Sequence, residues 1–108
     1  MVRIFFYNKL TNIDLIKKIN NNFEIDNGYI IIKNYDSENN ILEFSDNKSL
    51  NNKILNGKIV NFDMKIYDII NKINEIEECK IENKIKYTLE IIWANKMSGG
   101  IHKVYIIY

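Results

Sequence analysis

The sequence has no proline, one cysteine, one histidine and one arginine, and these shortages exclude several kinds of site. A single cysteine, Cys79, excludes an internal disulfide framework, so we predict a reducing, cytoplasmic location. No second cysteine or histidine stands at metal-ligand spacing from His102. We therefore predict that the chain holds no structural metal.

Blocks of like charge and long apolar runs are missing as well. Fifteen basic and fourteen acidic residues are spread along the chain, which gives a net charge of +1. Nucleic acid or a membrane surface would require a basic patch, so we predict no such partner and expect a small molecule or another protein. The apolar runs are shorter than the about twenty residues that span a bilayer, and residues 1–7 are typical of a first strand rather than a signal peptide.

The apolar residues that are present suffice for one core. The chain has 108 residues, of which 46% are hydrophobic and 12% aromatic, as is typical of a folded domain of ordinary size. No stretch resembles a linker between domains. We therefore predict a single domain over residues 1–108.

The first half of the chain combines β-prone runs with one helical pattern. Asn12 precedes apolar residues at i, i+3 and i+4 spacing, which predicts a capped helix over residues 13–19. The Ile- and Tyr-rich residues 23–35 predict extended structure with a bend at Asn27-Gly28. Further strands are predicted at residues 2–7 and 41–44, and a surface loop at residues 45–56.

The second half predicts the principal helix between strands. A strand over residues 57–63 ends at Asp63, whose carboxylate is placed to cap a helix over residues 64–78. Ser98-Gly99-Gly100 predicts a turn between two antiparallel strands, at residues 85–93 and 101–108. The whole order predicts an α+β fold in which a strongly twisted sheet or barrel packs against one principal amphipathic helix.

One carboxylate of the predicted helix falls on its apolar face. On a helical wheel Glu77 lies within the apolar stripe, whereas Glu75 and Glu78 point away from it. Burial would raise the pKa of such a carboxylate, as a general base working near neutral pH requires. In the alternative interpretation the last helical turn frays, and Glu77 reaches water or pairs with Lys80. The stripe itself consists of Ile66, Ile69, Ile70, Ile73 and Ile76.

Four segments carry a resemblance to a known family. The chain resembles the gamma-glutamylcyclotransferase-like family, whose pattern opens with a hydrophobic strand running into Tyr-Gly-Ser/Thr-Leu and later has a helix with Leu-Asp-x-x-Glu. The family continues with a Tyr-bearing strand, in which an arginine follows closely, and with a closing strand. The matching segments here are Ile4-Phe5-Phe6-Tyr7-Asn8-Lys9-Leu10, Ile73-Asn74-Glu75-Ile76-Glu77, Lys86-Tyr87-Thr88 and Val104-Tyr105-Ile106.

The resemblance implies a compact mixed β-barrel flanked by helices, and an enzyme without metal or cofactor. The implied substrate is a small γ-glutamyl amine or amino acid, which is cyclised to 5-oxoproline. Glu77 is then the general acid/base, the loop of Tyr7, Asn8, Lys9 and Leu10 holds the substrate, and Tyr87 is a weaker site candidate. The chain departs from the family at Asn8 and Lys9, which replace Gly-Ser/Thr, and it lacks the arginine after Tyr87.

Two other classes of function stay open. In the first, the domain is a non-catalytic module whose barrel mouth captures a small anionic ligand or a protein segment, with Lys9 as the charged contact. In the second, it is a structural subunit with a vestigial pocket. His102 is predicted to be a surface or strand-edge residue, Cys79 a buried or incidental thiol rather than a nucleophile, and Trp93 a packing residue.

Overall fold

A computed structural model describes residues 1–39, 41–45, 52–76 and 89–108, and Glu77, Cys79 and Tyr87 fall outside these ranges. A 3₁₀ turn, Lys9–Thr11, follows the first strand. None of the helices in the described ranges has the length and apolar character needed to cross a membrane. The strands and helices are β1 (Val2–Phe6), α1 (Ile13–Ile19), β2 (Phe23–Asp36), β3 (Ile41–Phe44), β4 (Lys53–Phe62), α2 (Ile66–Glu75), β5 (Leu89–Lys96) and β6 (Ile101–Ile107).

Five of these strands close into a β-barrel. Hydrogen-bonded neighbours follow the order β3-β2-β4-β1-β6-β5, and a further pairing of β2 with β5 closes the ring. β1 and β6 are parallel, and the other neighbouring pairs are antiparallel. β3 pairs with the last part of β2 and lies outside the ring. The predicted α+β class, with a barrel and mixed strand directions, is confirmed.

Alternate side chains along the barrel strands point inward, as the two-residue repeat of a strand requires. At β1, Phe5 and the following Tyr7 belong to the inner cluster, whereas Ile4 and Phe6 belong to an outer one. The inner cluster fills the middle of the barrel, as is usual for a small barrel. Its buried members are Phe5, Tyr7, Ile30, Ile32, Leu42, Ile59, Ala94, Val104 and Ile106.

The two helices cover part of the outer surface of the barrel. Ile69 and Ile73 of α2 and Ile16 of α1 are buried there against the outward side chains of β1 and β4. Burying a side chain of this size stabilises the fold by about 1.5 to 3 kcal/mol. The predicted apolar stripe of the principal helix is therefore confirmed at Ile69 and Ile73, which are buried.

Both ends of the principal helix differ from the prediction. The helix starts at Ile66 rather than at residue 64, and the residue before it, Lys65, makes no side-chain capping bond, so Asp63 is not its cap. Ile76 leaves the helical conformation with φ −83° and ψ 114°. The helix therefore ends at Glu75, and Glu77 lies outside the described residues.

Other elements match the prediction more closely. α1 covers residues 13–19, with Oδ1 of Asn12 accepting a hydrogen bond from the Asp14 amide, and β3 covers residues 41–44. Gly99 and Gly100 have positive φ in the turn between β5 and β6, which pair antiparallel as predicted. The predicted loop at 45–56 is wrong at its end, because β4 already begins at Lys53.

Candidate functional site

The candidate site lies at one end of the barrel, where three tyrosines meet. β1, β2 and β6 run in the same direction, so Tyr7, Tyr35 and Tyr108 stand at their carboxyl ends on the same side of the barrel. We call this the tyrosine end. The predicted loop of Tyr7, Asn8, Lys9 and Leu10 leaves the barrel here, because it follows β1 directly.

Tyr7 carries a buried hydroxyl group that has no hydrogen-bond partner in the described part of the chain. Its side chain is 9% exposed and lies over Phe5, with ring centroids 6.3 Å apart. The ring of Tyr35 meets it edge-on at 5.2 Å. Burial, followed by the nearness of Tyr35 and Tyr108, raises the pKa of Tyr7. The phenol is therefore neutral at physiological pH and can act as a hydrogen-bond donor.

The other two tyrosines, Tyr35 and Tyr108, also make contacts at the tyrosine end. The hydroxyl of Tyr108 donates to Oε1 of Glu90 at 2.8 Å, and its ring meets Phe44 edge-on at 5.0 Å. Burial and the carboxylate of Asp36 raise the pKa of Tyr35. These aromatic rings lie at the same end of the barrel as the Tyr7 hydroxyl, and such rings suit the apolar part of a small ligand.

The loop after Tyr7 is organised by Asn8 rather than by a glycine. Oδ1 of Asn8 accepts from the Leu10 amide at 3.1 Å, and its carbonyl oxygen accepts from the Thr11 amide at 3.0 Å. The φ of Asn8 is −114°, which any residue can adopt. The side chain therefore caps the 3₁₀ turn, and this gives a structural reason for Asn where the resembling family has Gly.

The predicted substrate-binding loop has an exposed part and a buried part. Leu10 is buried in the outer cluster under the helices, so it serves packing. Lys9 is exposed. The amides of Leu10, Thr11 and Asn12 are engaged within the turn. The amides of Asn8 and Lys9 are not used in these bonds, and they are the loop's candidates for holding a ligand oxygen.

Two predicted site residues cannot be placed relative to this loop, because Glu77 and Tyr87 lie outside the described residues. The roles of Glu77 as general acid/base and of Tyr87 as a site residue therefore stay predictions. Trp93 was predicted to be a packing residue, but it belongs to neither buried cluster. It is 61% exposed on the outside of the barrel, where the Lys103 ammonium lies 5.3 Å from the centre of its ring.

A second polar cluster, which the sequence patterns did not reveal, occupies the opposite end of the barrel. There Nη1 of Arg3 lies 3.1 Å from Nδ1 of His102, and Nε of Arg3 donates to Oδ1 of Asn61 at 3.0 Å. His102 is therefore a partly exposed residue near the start of β6, in keeping with the surface or strand-edge position expected, and it is also hydrogen-bonded to Arg3. Strand alternation was the signal, since Arg3, Asn61 and His102 each stand two positions from an inward residue of the inner cluster.

We call this second cluster the polar end. No group of three His, Cys, Asp or Glu side chains that could hold a metal ion occurs among the residues that the structure covers. The inward side chains at the polar end are Arg3, Glu24, Asp26, Asn61, Lys96 and His102.

Comparisons with protein-family models, curated proteins and solved structures found no match to this chain. The chain is therefore assigned here to a class of architecture: an α+β domain built on a closed five-stranded barrel with two helices on its outside.

Proposed function

We propose that the tyrosine end binds a small molecule, and that the chain is a gamma-glutamylcyclotransferase-like enzyme that converts a γ-glutamyl amine or amino acid to 5-oxoproline. The observation that supports the site most directly is the buried Tyr7 hydroxyl, which has no hydrogen-bond partner among the described residues. A buried hydroxyl that makes no hydrogen bond costs about 1 to 3 kcal/mol. A ligand oxygen that accepts from it would remove this cost.

The chemistry of a γ-glutamyl compound suits the tyrosine end. Such a compound carries carbonyl and carboxylate oxygens, which are acceptors for the neutral Tyr7 phenol and for the Asn8 and Lys9 amides. Its aliphatic chain would lie against the rings of Tyr35 and Tyr108. Lys9 itself is exposed, and its ammonium would attract a substrate carboxylate.

In the proposed reaction the free α-amine of the substrate attacks the γ-amide carbon. A new carbon–nitrogen bond closes the five-membered ring of 5-oxoproline, and the original amide bond breaks to release an amine. Glu77 takes the proton from the attacking amine and returns it to the leaving amine, as general acid/base catalysis requires. The loop amides would stabilise the negative charge that develops on the amide oxygen. The proposal includes a cytoplasmic location.

The test is turnover of a panel of γ-glutamyl amines and amino acids, with 5-oxoproline detected by mass spectrometry. We expect product from the unmodified chain, none from Glu77→Gln, and a loss of at least about tenfold in kcat/KM from Tyr7→Phe. Tyr67→Phe is the matched control, because Tyr67 is 72% exposed on α2. Product formation that survives Glu77→Gln would contradict the assigned role of Glu77.

The second candidate is a non-catalytic module that holds a small anionic ligand or a protein segment at the same end. The exposed Lys9, together with the two loop amides that the bonds of the described turn do not use, favours this candidate. Native mass spectrometry of the purified chain would then show a ligand that Lys9→Ala loses. Absence of 5-oxoproline together with a retained ligand would favour the module over the enzyme.

A further inference from the structure

The polar end of the barrel gathers charged and polar side chains from all five barrel strands. Arg3 lies on β1, Asp26 on β2, Asn61 on β4, Lys96 on β5 and His102 on β6. The strand directions bring these positions together, because β1, β2 and β6 begin at the end of the barrel where β4 and β5 finish. Residues distant in sequence thus lie at the same end of the barrel.

Arg3 is a partly buried cation without a carboxylate partner in the described part of the chain. The ion pair at this end joins Lys96 to Asp26, with Nζ and Oδ2 3.1 Å apart. Arg3 instead contacts two uncharged groups, the amide oxygen of Asn61 and the imidazole of His102. Asn61 is 8% exposed. A partly desolvated cation usually has an anionic partner, and none of the described carboxylates forms an ion pair with Arg3.

The two hydrogen bonds fix the orientation of the Arg3 guanidinium. A guanidinium is always a donor, so Nδ1 of His102 accepts and the ring carries its proton on Nε2. The guanidinium has five N–H groups, and its bonds to Asn61 and His102 use two of them. The remaining N–H groups, on Nη1 and Nη2, form the planar fork that matches the two oxygens of a carboxylate or phosphate.

We propose that the polar end binds a small oxyanion, a carboxylate or a phosphate group, with Arg3 as the primary contact and Lys96 as the second cation. Asn61 and His102 act as positioning residues, because they hold the Arg3 guanidinium. Asp26 opposes anion binding, since it occupies the Lys96 ammonium. Glu24, opposite Asn61 in the β2–β4 register, adds a second negative charge to this rim.

This site is independent of the tyrosine end. Inner-cluster residues such as Phe5, Ile59 and Val104 fill the barrel between the two ends, and each of the three is at most 1% exposed. The proposal therefore does not rest on the proposed enzymatic function. The competing explanation is that these side chains only cover an open barrel end with polar groups.

The test is isothermal titration calorimetry of the whole chain at constant ionic strength, with inorganic phosphate and with succinate as probes. The two probes separate phosphate from carboxylate recognition. We expect saturable binding of at least one probe and a loss of about tenfold or more in affinity with Arg3→Gln. Arg3→Lys keeps the charge but not the planar fork, so its affinity should fall between that of the unmodified chain and that of Arg3→Gln. Lys17→Gln, on the exposed face of α1, is the charge-matched control and should leave the affinity unchanged.

Asp26→Asn gives the more discriminating result, because it should strengthen binding by several-fold as Lys96 loses its competing carboxylate. Lys96→Gln should weaken it. These two variants also carry the test if Arg3→Gln does not fold, which thermal unfolding would reveal. The proposal is overturned if neither probe binds at millimolar concentration. It is also overturned if Arg3→Gln and Lys17→Gln reduce the affinity equally, or if Asp26→Asn has no effect.

Discussion

Gly28 and Gly57 are direct partners across the β2–β4 pair, and neither position has room for a side-chain carbon. A Cβ on Gly57 would lie 2.2 Å from the Phe6 carbonyl oxygen, and one on Gly28 would lie 2.8 Å from the Asn95 carbonyl oxygen. The requirement is for space, because among the described glycines only Gly99 and Gly100 have positive φ. The absence of a side chain at Gly28 allows β2 to approach β5 where the barrel closes, whereas its absence at Gly57 makes room for Phe5 and Phe6 of β1.

We therefore expect Gly57→Ala to lower the free energy of unfolding by about 3 kcal/mol or more, because its clash is with rigid backbone. Gly28→Ala should cost about 1 to 3 kcal/mol, since Ile59 can shift partly but the Asn95 carbonyl cannot. Urea unfolding followed by circular dichroism would measure both. Asn56→Ala, at the exposed position beside Gly57, is the control and should change stability by less than about 0.5 kcal/mol.

Local patterns of the sequence predicted local elements well. α1 with its Asn12 cap, β3 and the Gly99-Gly100 hairpin each depend on residues that are neighbours in the chain. Strand alternation was harder to see, because both faces of β1 are buried: Ile4 faces the helices and Phe5 the barrel interior. A strand buried on both sides shows a continuous apolar run, which hides the direction of its side chains.

The two candidate sites were predictable to different degrees. The loop at Asn8 and Lys9 is contiguous in sequence and was found from its residues. The polar end was not found, because Arg3 lies 58 positions from Asn61 and 99 positions from His102. Only the strand register brings such residues together, and neither spacing nor composition encodes that register.

The helix caps provide a paired test of prediction and structure. Asn12→Ala should lower the free energy of unfolding by about 1 kcal/mol, because it removes the acceptor for the Asp14 amide at the start of α1. Asp63→Ala should change it by less than about 0.5 kcal/mol, since Asp63 does not cap α2. Thermal or urea unfolding of the two variants measures the difference. Equal losses in both variants would contradict the assignment of the caps.

Removing the Tyr7 hydroxyl is expected to raise the free energy of unfolding, whereas the substitutions above lower it. Without ligand, Tyr7→Phe should raise the free energy of unfolding by about 1 kcal/mol, because a buried hydroxyl that makes no hydrogen bond is removed. Tyr108→Phe is the matched control and should lower it by about 0.5 kcal/mol, since it removes the bond to Glu90. Destabilisation by Tyr7→Phe in the ligand-free chain would show that this hydroxyl has a partner.

His102 links the polar end to the pH dependence of stability. Partial burial, together with the charges of Arg3 and Lys96, lowers the pKa of His102 below its ordinary value of 6.5, while Asp26 acts in the opposite direction. Within the window between the lowered pKa and 6.5, the unfolded chain binds a proton that the folded chain does not. Stability contributed by the neutral ring is thus fully present above pH 6.5 and declines as the pH falls through this window.

Urea unfolding between pH 5 and 8 would measure this decline, and His102→Gln should reduce it. The cause is local, because a protonated ring no longer accepts the Arg3 hydrogen bond and adds a third positive charge beside Arg3 and Lys96. Asp26→Asn should steepen the decline, since it removes the carboxylate that favours protonation of the ring. If His102→Gln leaves the pH profile unchanged, the Arg3–His102 bond does not contribute to stability in the way proposed.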